Sequence, residues 1–398
     1  MLAPRVASIG LLTLTSVAAA SFPGRAQACG GFFCDNLDPV VQTAERILFR
    51  VNADDTVTTI VEIQYQGPPS QFAWVLPVAP GLTVEDITTA PAGLFDALEE
   101  RTAPVFERPP SEGAASAADE GRGCGFGRGR WGDGGYSYDP PPPDTSGVMV
   151  VGEAVVGPYA LEIITAEQGE NLSNWLILNG YQIPPAAIGA MDHYIQRKMA
   201  FLGVKLEADV PAGPIDALSF TYPGQTPAIP LILTSVAAAP QMEIVAYVAG
   251  PGRFVANNYE DLDFDYDSVR WTGTLDTDYA FKLIEAVATA GGRAFNTEFA
   301  DVIGETGSLA DTPLAAVLER DVYVTRFHTF MSGADMTEDP VWMPGTAGDV
   351  DNHHVLFDEE GLAAARPGGG GAAGFAALLV PVLLLVRRRP RRTARTRR

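Results

Sequence analysis

Two apolar segments, one near each end of the chain, flank the region that is expected to form the folded body. In the first 28 residues, Arg5 precedes an apolar stretch at 9–20, and an Ala-Gln-Ala sequence occupies positions 26–28. A positive start, an apolar run of this length and small residues at alternate positions are typical of a secretory signal peptide. We therefore predict that residues 1–28 are a signal peptide whose cleavage leaves Cys29 as the first mature residue. Acylation of Cys29, as in a lipoprotein, is the alternative.

The C-terminal end consists of a glycine run at 368–371, an apolar segment at 372–386 and an arginine-rich cluster at 387–398. A helix made of the apolar segment would span about 22 Å, less than the roughly 30 Å of a bilayer core, and Pro381 interrupts it. Snorkelling arginines would lengthen its reach and hold the C-terminus in the cytoplasm. We predict a linker at 346–371 and a transmembrane or sorting tail at 372–398.

Charge is distributed unevenly along the chain. The net charge is −22, but ten arginines lie in the two end segments, and the chain without these ten carries −32. A surface this acidic repels phosphate groups, which excludes nucleic acid and anionic lipid as partners of the body. The predicted partner is the membrane, reached through the C-terminal tail, and the body is expected in the cell envelope, either periplasmic or at the cell surface. Protein or polymer partners in the envelope stay open.

Three cysteines occur, Cys29, Cys34 and Cys124, and no CxxC pair is present. This spacing matches no common zinc site, whereas disulfides are the rule in an oxidising envelope. We predict a disulfide between Cys29 and Cys34, whose ring would include the two glycines at 30 and 31. Pairing of Cys34 with Cys124 is the alternative.

A change of composition divides the body. Residues 109–147 consist mainly of Gly, Pro, Ser, Ala and Asp, include four consecutive prolines at 140–143, and show no apolar period. This composition is typical of a flexible linker. We predict an insertion at 109–147 between an N-terminal β-rich part at 29–108 and an α+β main part at 148–345.

Strand patterns outnumber helical ones in the body. Alternating apolar residues and β-rich runs predict strands at 40–49, 57–65, 72–77, 148–156, 160–165, 200–207, 217–222, 231–233, 242–248 and 321–331. Helices are predicted at 94–101, 278–290 and 313–319. A helical pair is predicted near 170–199, where the first helix ends at Asn179-Gly180 and the second begins at Pro184-Pro185. The mixture predicts an α+β fold.

One acidic stretch offers ligands for a hard cation. Asp261, Asp263, Asp265 and Asp267 alternate with Leu262, Phe264 and Tyr266. On an extended segment the four carboxylates would share one face, which makes them weak candidates for a calcium site. The alternative is a solvated strand face whose apolar side packs inward. Apart from calcium, no cofactor is predicted.

A second stretch contains residue types that bind zinc, namely Asp349, Asp351, His353, His354 and Asp358. Adjacent histidines point to opposite faces of a strand, so both rarely bind one ion, and the segment is expected to be a polar linker. His193 and His328 lie within apolar-periodic elements, where a position at the edge of the core is expected.

The sequence contains no G-x-S-x-G, H-E-x-x-H, Walker or dinucleotide-binding motif. The leading interpretation is therefore a binding or structural module without enzymatic activity, exported and then anchored in the envelope or sorted to the surface. The alternative is an envelope hydrolase whose site is assembled from residues that are distant in sequence.

Four stretches of the body, in this order, resemble a bacterial family known as domain-of-unknown-function family 2330. They are CGGFFC at 29–34, FAWVLP at 72–77, WLILNGYQIP at 175–184 and MTEDP at 336–340. The resemblance covers about residues 29–345 and implies an exported or membrane-anchored protein, without implying an activity. The tail resembles glycine-glycine and myxobacterial sorting signals, in which the chain is cut upstream of a temporary span. The myxobacterial type carries a cysteine before the span, and this chain has none there.

Overall fold

The structure, a computed structural model, describes residues 41–66, 73–109, 144–179, 184–206, 216–224, 226–303, 309, 312–319 and 321–356. The predicted signal peptide, the three cysteines, most of the predicted insertion and the predicted tail lie outside these residues, so the expectations for them stay predictions. Within the described part, no helix is both long and apolar enough to cross a membrane.

Strands hold about twice as many of the described residues as helices do, which confirms the predicted α+β class with its strand-rich character. The strands are β1 Val41–Val51, β2 Thr56–Gln66, β3 Ala73–Val78, β4 Ile87–Thr89, β5 Val105–Glu107, β6 Met149–Val156, β7 Tyr159–Thr165, β8 Ala200–Leu206, β9 Leu218–Pro223, β10 Ala238–Gly250, β11 Phe254–Ala256, β12 Glu260–Asp261, β13 Ala294–Ile303, β14 Val322–Met331, β15 Trp342–Pro344 and β16 His353–Val355.

The larger sheet has eight strands in the order β12-β13-β14-β10-β1-β2-β9-β4. β1 and β2 form an antiparallel hairpin whose turn places Asp55 in the left-handed backbone region, with φ 63°. On its other side β1 pairs in parallel with β10, which comes almost 200 residues later in the chain. Because β1 is central, it is apolar on both faces: Ile47 and Phe49 point to one side and Leu48 to the other.

The smaller sheet has four antiparallel strands in the order β3-β8-β7-β6. β3 comes before the predicted insertion and β8 after it, so both parts of the body contribute to this sheet as they do to the larger one. Two pairs of short strands, β11 with β15 and β5 with β16, complete the set.

Five helices are described: α1 Leu94–Thr102, α2 Gly169–Leu178, α3 Pro185–Ile195, α4 Leu231–Thr234 and α5 Tyr279–Thr289. The predicted helical pair corresponds to α2 and α3 and is confirmed. Pro185 stands at the first position of α3, where a proline lacks only an N–H that has no helical partner. α5 is followed by Gly291 and Gly292, both with positive φ, which end the helix as the sequence predicts.

The elements stack in four layers. The two sheets pack face to face through one apolar core that draws side chains from both, including Phe49, Val61, Leu76 and Leu202. α2, α3 and α4 cover the outer face of the four-stranded sheet. α1 and α5 lie against the opposite face of the eight-stranded sheet, each over its own apolar cluster.

Three sequence expectations need correction. Residues 231–233 form part of helix α4 rather than a strand, because Pro230 precedes them and three apolar residues carry no period. β13 was not predicted at all, although it is ten residues long. Residues 353–355, placed in a linker, form β16, which pairs in parallel with β5.

Candidate functional site

A cavity of about 210 Å³ lies between the two sheets. Its wall is mostly apolar and comes from strands of both sheets, with Phe49 of β1, Val61 of β2 and Leu76 of β3 among the lining residues. The exposed lining residues Arg197 and Thr226 mark a side on which it meets solvent.

One carboxyl group, that of Glu45, lines this apolar cavity. Glu45 is 2% exposed because it takes the same face of β1 as Ile47 and Phe49, two and four residues further on. Gln42 donates a hydrogen bond from Nε2 to Oε2 of Glu45 over 3.0 Å. Burial, opposed by this hydrogen bond, raises the pKa of Glu45 to about 7.

Gln42 is itself 1% exposed. Its Oε1 atom is buried and finds no hydrogen-bond donor among the described residues. The irregular register of β1 between Gln42 and Ala44 brings this side chain to the same carboxyl group three residues away. Two hydrogen-bond acceptors, one of them ionisable, are therefore close to each other beside an apolar space.

A second carboxylate, Asp339, also lines the cavity. Its Oδ1 accepts hydrogen bonds from the hydroxyl of Tyr194, at 2.9 Å, and from the backbone N–H of Ile232, at 3.0 Å. Burial raises the pKa of Asp339 despite these bonds. Asp339 belongs to the MTEDP stretch and Leu76 to the FAWVLP stretch, so two of the four family-like stretches contribute to this wall.

This arrangement suits the binding of a small molecule. An apolar wall with a few convergent polar groups is the usual form of a small-molecule site, and a carboxyl group whose pKa is near 7 can donate or accept a proton there.

A separate cluster of charged groups is buried between the eight-stranded sheet and the helices α1 and α5. Glu298 of β13 is fully buried and bonds three side chains: Nε of Arg326, Nδ1 of His328 and the hydroxyl of Tyr279. Arg326 also donates to Glu99 of α1 over 2.6 and 3.0 Å. Each buried charge thus has an oppositely charged partner, which is the condition for tolerating it in a core.

The cluster shifts the pKa values of its acidic and basic members in opposite directions. Burial opposes the ionisation of Glu298, but the charges of His328 and Arg326 outweigh it and lower the pKa of Glu298 to about 2. Burial likewise opposes the charge on His328, yet Glu298 and Glu243 raise its pKa to about 9. Both ring nitrogens of His328 bond carboxylates, at 2.6 and 3.0 Å. Neither nitrogen is left to activate a nucleophile, so the cluster has the properties of a structural network.

His328 therefore lies deeper than the core-edge position expected from sequence, and its partners come from β10 and β13. His193 lies in α3 beside Tyr194, with ring centroids 5.0 Å apart. His353 pairs with Glu107 at 3.4 Å, whereas the ring of His354 stacks on Tyr266 at 3.6 Å. The two adjacent histidines thus have different surroundings, as expected for a strand; Asp358 lies outside the described residues.

The four aspartates proposed for calcium are exposed, while Leu262, Phe264 and Tyr266 pack inward, as their alternation predicts. They do not lie on one continuous strand, because β12 ends at Asp261 and a 3-10 turn begins at Tyr266. Asp261 bonds Thr297 and Arg253, and Asp265 accepts the backbone N–H of Asp267. Nowhere in the described ranges do three or more His, Cys, Asp or Glu side chains gather as a metal would require.

Sequence reasoning missed Glu45, although a signal was present. Glu45 shares the period-2 spacing of Ile47 and Phe49 in a strand that was predicted, which places a carboxyl group on the core face. It missed Glu298 because β13 has polar residues at buried positions and so lacks an apolar alternation. Arg326 lies in β14, which was predicted, but a single arginine in a strand pattern is usually solvated.

Residues 23–340 match the profile of a family described as an uncharacterized protein conserved in bacteria, DUF2330. No curated protein matches the chain. Among solved structures, a mutated baculovirus P35 after caspase cleavage is 12% identical over 59% of this chain and 85% of that one, with a TM-score of 0.27. A likeness this weak does not identify a shared fold.

Proposed function

The chain belongs to the bacterial family DUF2330, and we propose that it is an exported module of the cell envelope that binds a small, largely apolar molecule between its two sheets. The cavity that contains the Glu45 carboxyl group carries this proposal. An apolar space between two sheets that is open to solvent on one side, with a few polar groups in its wall, is the usual form of a small-molecule site.

The size of the cavity limits its ligand. An engineered apolar cavity of about 150 Å³ in another protein binds benzene, so a space of about 210 Å³ accommodates a molecule of roughly eight non-hydrogen atoms. Glu45 and Asp339 supply polar contacts at the wall, and the apolar side chains would hold the rest of the ligand.

The proposed location in the cell envelope rests on the two ends of the chain. The signal-like residues 1–28 support export, and the apolar segment with its arginine cluster at 372–398 supports attachment to a membrane or sorting to the surface. An acidic body without affinity for anionic lipid would then be exposed to small molecules that enter the envelope.

Titration of the purified full-length chain with benzyl alcohol tests the binding function. Thr59 is 7% exposed and lines the cavity, so Thr59→Phe fills it with a ring. Val61→Phe, at the next inward position of β2, is a second filling variant. Thr88→Phe places the same ring at an exposed position of β4 and serves as the matched control.

Calorimetry should detect binding to the wild type and to Thr88→Phe, and a loss of about tenfold or more in affinity for both filling variants. Equal binding by Thr59→Phe, Val61→Phe and the wild type would place the ligand elsewhere and refute the proposal. An absence of measurable binding of any compound of this size to the wild type would refute it as well.

A further inference from the structure

We propose that the ligand of the inter-sheet cavity carries a primary ammonium group, which the carboxylate of Glu45 binds. This inference rests on the proposed function, because it assigns the head group of the same ligand. Its starting point is the set of hydrogen-bonding groups at the polar end of the cavity.

That set contains two carboxyl groups, Glu45 and Asp339, together with the hydroxyl groups of threonine and tyrosine side chains. Glu45 offers a carboxylate on which the Nε2 of Gln42 occupies one position, at 3.0 Å. The protein donates this one hydrogen bond to the Glu45 carboxylate, and N–H groups of a ligand in the cavity would occupy its remaining acceptor positions. A primary ammonium group has three donors and no acceptor, which matches this need better than a hydroxyl or a carboxylic acid does.

The charge around the cavity favours a cation. Two carboxyl groups line it, Glu45 and Asp339, and the one cationic side chain of its described wall, Arg197, is exposed at the rim. Arg197 donates a hydrogen bond to the backbone carbonyl of His193 rather than to Glu45. The acidic body, with a net charge of −22 for the whole chain, would also attract cations toward the opening.

The walls suit an organic cation rather than a metal ion. Phe49, Phe220 and Tyr222 bring aromatic rings to the cavity, and ring faces attract an ammonium group while they hold its apolar substituent. A hard metal ion needs six or more oxygen ligands, and the described wall supplies two carboxyl groups among apolar side chains.

The test compares two molecules of the same shape. Benzylamine is a cation at pH 8 and benzyl alcohol is neutral, so calorimetric titration of the full-length chain with each isolates the charge of the head group. Glu45→Gln keeps the size of the side chain and removes its charge. Glu62→Gln, on the neighbouring strand with its side chain paired to Arg46 outside the cavity, is the matched control.

We expect benzylamine to bind the wild type about tenfold or more tightly than benzyl alcohol, as a charge-assisted hydrogen bond implies. Glu45→Gln should remove this preference and leave the affinity for benzyl alcohol within about threefold, whereas Glu62→Gln should keep the preference. Benzyl alcohol that binds as tightly as benzylamine, or a preference that survives in Glu45→Gln, would overturn the ammonium assignment while the cavity remains a binding site. A wild type that binds neither compound would refute the binding function itself.

Proton release gives a second readout of the same contact. At pH 6.5 the ammonium group would bind the ionised form of Glu45 and displace its proton into the buffer. The binding enthalpy, measured in two buffers of different ionisation enthalpy, would reveal this proton release. The other titratable or charged groups of the described wall are Tyr194, Arg197, Tyr222 and Asp339, and all of them stay unchanged in Glu45→Gln. Release by the wild type that disappears in Glu45→Gln supports the contact, and equal release by both contradicts it.

Discussion

The Nδ1 atom of His328 lies 2.6 Å from Oε1 of Glu298, inside a cluster of charged side chains in which Glu298, Arg326 and His328 are buried. Glu298 also accepts from Arg326 and Tyr279, so a single buried carboxylate joins two strands and one helix. Such a network specifies how β13, β14 and α5 fit together, and its value for stability depends on every member having its partner.

Glu298→Gln should destabilise the fold by about 3–5 kcal/mol, because it leaves the charges of Arg326 and His328 without their shared acceptor. Glu285→Gln, on the exposed side of α5 where Glu285 pairs with Lys282, should change stability by less than about 0.5 kcal/mol. Urea unfolding of both variants measures the difference. Equal, small losses would show that the network contributes little.

The pKa of Glu45 makes stability depend on pH. Its folded value of about 7 exceeds the ordinary 4.5, so the folded state holds the proton more tightly than the unfolded chain does. The contribution of Glu45 to the free energy of unfolding is therefore fully present below pH 4.5 and is lost as the pH rises through 7. Glu45→Gln should match the wild type at pH 4.5 and exceed its stability by about 3 kcal/mol at pH 8. Denaturant titrations at several pH values, with the exposed Glu85→Gln as a baseline, check this, and parallel curves for the wild type and Glu45→Gln would refute it.

Two glycines of the helical pair should respond in opposite ways to alanine. A Cβ at Gly169 would lie 2.5 Å from the backbone carbonyl oxygen of Ile188, so Gly169→Ala should push α2 away from α3 and cost about 1–3 kcal/mol. A Cβ at Gly189, in the exposed middle of α3, meets nothing within 4 Å. Gly189→Ala should stabilise the chain by up to about 1 kcal/mol. Thermal unfolding measures both, and a shift of the same sign would contradict the packing described.

Export predicts a specific mature N-terminus. Mass spectrometry of the chain from fractionated bacteria should find Cys29 as the first residue in the envelope fraction, and Ala28→Arg, which removes the small residue before the cut, should leave residues 1–28 attached. Chain with an uncut N-terminus in the cytosol of wild-type cells would contradict export. The same spectra determine whether residues 372–398 are retained or removed near the glycine run.

Local sequence patterns predicted those parts of the fold in which each strand or helix has one apolar face. β2 has alternating apolar residues, and α3 has a proline start and one apolar stripe, so both were predicted. β13 was not, because Asn296 and Glu298 occupy buried positions that only partners from distant strands make tolerable. The pairing of β1 with β10 follows from packing over a long sequence separation, which no local pattern contains.

Glu45 was not predicted as a site residue for a similar physical reason. A single acidic residue within a strand pattern is usually solvated, so Glu45 carried no chemical motif. Its significance comes from the space between the sheets, which depends on side chains from β1, β2, β3 and β9 together. The acidic repeat at 261–267 was predicted as a weak candidate site instead, and its four aspartate side chains are exposed to solvent.

A crystal structure of the full-length chain soaked in benzylamine would show whether the cavity binds an ammonium compound. We expect the ring to lie between the two sheets, in contact with Phe49 and Val61, and the nitrogen to lie within hydrogen-bonding distance of the Glu45 carboxylate. A cavity closed by neighbouring side chains, or benzylamine bound outside it while the cavity stays empty, would contradict the account.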